Sequence, residues 1–234
     1  MFNAAEYLHH LLPESMLFVG ALVILLIRRE QGRLNEVAPI VKLIAANNPG
    51  GSAWGPGLAL LYSLLGQSKE CQTLFDSLAS DGFAFVPQDS LRVATLAYLS
   101  EVCAYLEDDQ RAETLYELLL PYESRTVVVG GATACFGAAG RFLGMLSMAM
   151  SELETAERHY QRAIELNARM GAWPWLAHSQ FEYAAMLLNR GAAQDRQRAN
   201  DLLQESLCTS RKLGMANLVE KAVDLQARYE LISS

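Results

Sequence analysis

The side chains that could bind a metal or run acid–base chemistry are poorly spaced here for either. His9, His10, His159 and His178 fall in no HExxH-like ligand pattern, and Glu157 and His159 take different sides of one helix. The acid pairs Asp108-Asp109 and Glu152/Glu154 stand where helices begin, a position the helix dipole favours for negative charge. No serine lies in a GxSxG context, and Gly130-Gly131 lacks the Gly-Lys-Ser/Thr that completes a phosphate-binding loop. No CxxC occurs, so Cys71, Cys103, Cys135 and Cys208 read as buried small hydrophobes in a reducing cytoplasm. The expectation is a protein without catalytic residues, metal or cofactor.

Chemistry being absent, the elements carry the information. The chain has 234 residues, is 51% hydrophobic and 19% charged, and has a net charge of −7. That balance argues against a nucleic-acid surface, which would be basic. Up to Tyr122 there are 7 Lys/Arg against 14 Asp/Glu, and after it 12 against 12, so the acidic excess lies wholly in the first half. The apolar run Ser15–Ile27 is 13 residues long, short of the ~20 that a membrane span needs. It reads as a buried helix, and its Met16–Ile27 part marks the N-terminal end as a surface for self-association.

The remaining sequence is helical and repetitive. Arg141 to Asn167 reads as two amphipathic helices joined by an acidic turn. Its Leu143, Gly144, Ser147, Ala156, Tyr160 and Ala163 match the large, small and aromatic offsets of a tetratricopeptide (TPR) repeat. Second-helix triplets recur as Val37/Val41/Ile44, Cys71/Phe75/Leu78, Ala112/Tyr116/Leu119, Ala156/Tyr160/Ala163 and Ala199/Leu203/Ser206. Their spacings are 34, 41, 44 and 43 residues, against the 34 of the standard repeat. Gly137, Gly140 and Gly144 form one small face for close helix packing. The expected fold is an all-α, right-handed TPR-like α-solenoid of about five helix pairs. Its approximate units are 13–50, 52–83, 90–124, 131–170 and 173–214, with a terminal helix at 216–232. Asp81–Asp89 and Tyr122–Gly131 read as extended connections packed on the array.

The TPR register also selects residues. First-helix positions that line the concave face fall on Arg29, Ser63, Glu101, Arg141 and His178, among apolar neighbours such as Leu26, Leu60, Met145 and Phe181. A mixed groove of this kind suits a peptide or amphipathic helix. Alanine at Arg141 and Glu101 is expected to weaken partner binding and to leave thermal stability nearly unchanged. The alternative is a small-molecule effector pocket at Tyr122, Arg141 and Trp173.

Several phrases recur in order: RREQGRLNE from Arg28, LYELLLPY from Leu115, NARMG from Asn167, Pro174-Trp175-Leu176-Ala177, and RKLGM from Arg211. Together they resemble the C-terminal helical-repeat region of bacterial STAND-type signalling ATPases, either cyclase-linked or LuxR-type regulators. The resemblance spans about Arg28 to Met215. It implies a sensing or scaffolding role and a protein or peptide partner, with a cyclase or ATPase domain of the same system as candidate. No Walker A motif or cyclase segment accompanies it.

Overall fold

The computed structural model describes residues 23–47, 54–129 and 134–229. Residues 13–22 of the first expected unit, with the first part of the apolar run, and Gly130-Gly131 lie outside these residues. The described chain is mostly helical: α1 (23–30), then α2 (Ala38–Asn47), α3 (Trp54–Leu64), α4 (Ser68–Ala79), α5 (Arg92–Leu106) and α6 (Asp109–Leu119). After a β-hairpin come α7 (Ala139–Ala149), α8 (Leu153–Met170), α9 (Trp173–Arg190), α10 (Asp195–Leu213) and α11 (Ala216–Arg228). Among the described residues, no helix is long and apolar enough to cross a membrane.

Local chemistry ends these helices sharply. Gly171 follows α8 with φ +65°, a left-handed conformation that costs glycine little. It lets Ala172 N–H donate back to Asn167 O at 2.9 Å, satisfying a carbonyl the helix would otherwise orphan. Ahead of α6, the Asp108 side chain accepts from Arg111 N–H at 3.0 Å, an N-cap that fits the acidic sequence there.

From α3 onward each helix packs on the next, and the odd-numbered helices also pack on one another: α3 on α5, α5 on α7, α7 on α9, α9 on α11. The odd helices thus form one continuous row and the even ones flank it. The largest apolar core runs from α3 to α7 and takes in Leu61's neighbours Ala59 and Leu60, Phe75, Leu99, Leu115, Phe136 and Phe142. A second joins α8 to α11 around Tyr160, Tyr183, Leu203 and Ala222.

Two small-residue positions fix how closely the rows approach. Gly144 faces the ring of Tyr160, and a Cβ there would stand 2.7 Å from the ring's Cε1. Gly140 lies against the His159 carbonyl, whose oxygen would stand 3.2 Å from a Cβ there, a tight contact. Gly137 differs from the helical face expected of it. It sits in a strand at φ +76°, and any side chain would collide with Trp175.

The hairpin corrects the reading of Tyr122–Gly131 as an extended linker. β1 (Thr126–Val129) pairs antiparallel with β2 (Ala134–Ala138), with an irregularity between Thr126 and Val128. Val127, Val129, Ala134 and Phe136 turn into the core, and Val128 and Cys135 turn outward. The alternation of a strand thereby does what a helix cannot over so few residues: it buries one face and leaves the other polar-tolerant. Cys71 and Cys103 are buried as expected, whereas Cys135 and Cys208 are exposed. The outward strand face explains Cys135, and Cys208 projects from the solvent side of α10.

Candidate functional site

Four of the five residues selected by register meet in one place. Arg141, in the first turn of α7, sends Nε and Nη2 to the Glu182 carboxylate of α9, with Nη2 2.6 Å from Oε1. Its third nitrogen, Nη1, donates to Glu101 Oε1 of α5 at 3.2 Å. The other oxygen of Glu101 accepts from Arg29 Nη2 of α1 at 2.7 Å. Beside them His178 Nε2 of α9 lies 2.9 Å from Glu30 Oε2. Ser63 stands apart, its hydroxyl bonded to Leu60 O one turn back in α3.

The floor of this cluster is aromatic. Trp175 stacks on Phe136 at 5.5 Å and on His178 at 5.4 Å. The guanidinium groups of Arg29 and Arg141 lie 5.9 Å and 5.5 Å from its ring centre, close enough for cation–π attraction. Trp175, His178 and Glu182 follow one another at three- and four-residue steps, so a single stripe of α9 carries all three.

These groups are not an open groove lining. Arg141 is 1% exposed, Arg29 6% and Glu101 8%. The expectation that alanine at Arg141 or Glu101 would spare stability therefore fails, because each removal strands a buried opposite charge. Helix α1 contributes to this burial: Leu26 packs on the main core, and beyond its end a Cβ on Gly32 would come within 3.8–3.9 Å of Asn217 and Ala216 of α11.

Electrostatics hold the network ionised. Burial alone would raise the Glu101 pKa, but Arg29 and Arg141 outweigh it and bring it down to about 2. Glu30 follows the same pattern, its burial overcome by His178 and Arg29. Arg141 is pushed further up, burial being outweighed by Glu182 and Glu101. Lys221 on α11 feels the same field; desolvation first, then Arg29, lowers its pKa.

The effector-pocket residues do not assemble with Arg141. The tryptophan beneath Arg141 is Trp175, whereas Trp173, two residues away and so on another side of α9, is 53% exposed. Tyr122 stacks instead under Arg125, at 5.5 Å. A cleft of about 240 Å³ does occur elsewhere, between the α9–α10 turn and Tyr229 just after α11, lined by Leu187, Leu188, Arg196 and Tyr229 among others.

Two further polar clusters tie helices together. Tyr183 Oη donates to Glu157 Oε1 at 2.6 Å, and Arg190 bridges Glu157 and Asp195, joining α8, α9 and the start of α10. His159 Nε2 is 2.9 Å from Tyr116 Oη. Its Nδ1 is 2.8 Å from Glu123 Oε1, off the line of a good hydrogen bond. Desolvation lowers the His159 pKa despite Glu123, leaving the ring a neutral strut. Asn167 clamps the hairpin to α9: its Oδ1 accepts from Ala138 N–H at 2.9 Å and its Nδ2 donates to Trp175 O and Ser179 Oγ.

Sequence reasoning missed Glu30, Glu182, Trp175 and Phe136 as members of the cluster. Glu182 was recoverable, lying one turn beyond His178 on the same stripe. Phe136 gave no signal, since its strand was not recognised.

Fold and site together define an all-α protein whose inner helices converge on a buried ion-pair network. No family model and no curated protein matches the chain. Among solved structures it is similar to the crystal structure of BtubC (BKLC) from P. vanneervenii, at 14% identity and a TM-score of 0.44, over 89% of this chain and 94% of that one.

Proposed function

We propose that the chain is a right-handed TPR-like α-solenoid serving as a non-catalytic interaction and regulatory module of a bacterial signalling system. It binds a peptide or partner domain, such as a cyclase or ATPase domain, on the concave face made by α3, α5, α7 and α9. The observation that carries this reading is the convergence of Glu101, Arg141, Glu182 and His178 from three helices onto one inner face. Charged and aromatic groups gathered from successive helices give directional contacts for one helix-sized ligand, while apolar neighbours supply area. At the N-terminal end, Ile24, Ile27, Ile40 and Leu43 are each about half exposed, which supports self-association there.

The test is a footprint. Helical peptides selected by display against the full chain are bound to it, and amide hydrogen exchange is compared with and without peptide. Protection in α5, α7 and α9 supports the reading. Protection confined to α4, α6, α8 and α10 overturns it.

A further inference from the structure

The inner face that would receive a partner is already occupied by a helix of this chain. Helix α1 does not simply stack on its sequence neighbours. Arg29 reaches Glu101 across 72 residues of sequence, Glu30 reaches His178 across 148, and Gly32 faces the first residues of α11, which a Cβ there would approach within 4 Å. Such contacts are those of a ligand lying across several helices.

The polar part of the hold on α1 is incomplete. Among the described residues, Arg29 Nη1 and Glu30 Oε1 are buried without a hydrogen-bond partner, and Glu30 Oε1 has only Arg29 Nε at 3.6 Å. Buried ion pairs contribute little net stability against their desolvation, yet leaving one partner alone is costly. The segment is thus easy to exchange for another of the same chemistry and hard to remove without replacement. Its Ile24 and Ile27 meanwhile face outward, half exposed, and contribute little to its retention.

We propose that α1 is an intramolecular ligand that closes the inner face, and that an external helix of matching chemistry displaces it. This rests on the reading of that face as the partner site. The matching pattern is set by α1 itself. Leu25 and Leu26 pack inward, and Arg29 and Glu30 follow each of them by four residues on the same side of the helix. A partner helix therefore carries two adjacent apolar residues, then a basic–acidic pair one turn later. The basic group takes the place of Arg29 on Glu101, and the acid that of Glu30 on His178. Because α1 is tethered, it competes at a high effective concentration, and a free partner binds more weakly until α1 is released.

Two measurements on the full chain test this. The probe is a fluorescein-labelled peptide of residues 23–36, with I24Q and I27Q for solubility, followed by anisotropy. The R29A/E30A chain is expected to bind it at least tenfold more tightly than the wild type, and adding Glu101→Gln is expected to remove that gain. Equal binding by wild type and R29A/E30A, or binding by neither, overturns the proposal. The second measurement needs no variant. In the wild-type chain, amides of 23–30 are expected to exchange at least a hundredfold faster than those of α7, through local opening. Exchange of both segments in one global event also overturns it. If display-selected peptides still protect α5, α7 and α9 in that case, the partner site stands and only its occupation by α1 as a ligand is lost.

Discussion

Arg141 grips Glu182 through two nitrogens across 41 residues of sequence, and this contact joins α7 to α9 where their backbones otherwise touch little. Among the described residues, Arg141 is the largest of the fully buried side chains. Replacing it with alanine leaves Glu101 and Glu182 facing each other without their shared cation. The expected loss is about 3–5 kcal/mol, read as a lowered urea midpoint. Arg141→Lys recovers only part of it, because an ammonium cannot reproduce the guanidinium fork on one carboxylate while reaching a second. A lysine variant as stable as wild type would refute the fork's importance.

Close approach at Gly144 makes a second, independent expectation. Gly144→Ala places a methyl against the Tyr160 ring, and overpacking of this kind costs about 1–3 kcal/mol. Pairing it with Tyr160→Val opens room for the methyl, so the double variant is less unstable than the sum of the two single changes. A double-mutant cycle in thermal unfolding measures the coupling; strict additivity would place the clash elsewhere.

Acid should loosen the network in a defined window. The folded pKa of Glu101 lies at about 2, below its usual value of 4.5, and Glu30 and Glu157 are lowered too. Groups depressed in the folded state stabilise it fully above the unfolded pKa and lose that contribution as pH falls through the folded one. The melting temperature is therefore expected to hold from neutral pH to about 5 and to fall between roughly 4.5 and 2. Glu101→Gln, lower throughout, should show a shallower fall, since its side chain no longer titrates. A parallel decline in the two proteins would assign the acid sensitivity to other carboxylates.

Thiol chemistry separates the four cysteines. Cys135 and Cys208 are exposed, while burial pushes Cys71 up to about 11 and Cys103, with Asp108 beside it, up to about 12. Maleimide at neutral pH should label two thiols quickly in the native protein and four in denaturant, as counted by intact-mass spectrometry. Native labelling at Cys71 or Cys103 would contradict the core described for α4 and α5.

Helical periodicity made much of this arrangement legible in advance. The small residues at Gly140 and Gly144 and the aromatic at Tyr160 announced the α7–α8 contact because only a glycine admits the ring at that distance. Register likewise placed Arg29, Glu101, Arg141 and His178 on one face, since helix geometry fixes which side a residue takes. It could not say that α1 would cross that face and bury them, because the path of a helix depends on contacts 72 and 148 residues away. The hairpin was hidden for a different reason. The β-branched Thr126–Val129 was visible, but its partner Ala134–Ala138 has small residues at every position but Phe136 and runs straight into α7, and Gly137 passed for one of the packing glycines of that helix. Cys135 was misplaced with it.

The contact between Glu30 and His178 has a kinetic meaning as well. Neighbouring helix pairs can form from local sequence, whereas this pairing must wait until the intervening chain is ordered enough to bring both ends together. Helix α1 then docks last in folding. Stopped-flow refolding should show it as a late phase in which Trp175 fluorescence changes after most helical signal has returned, and R29A/E30A should lose that phase while keeping the earlier one. The clasp is in this sense a timer, reporting that the chain between residues 30 and 178 has finished assembling.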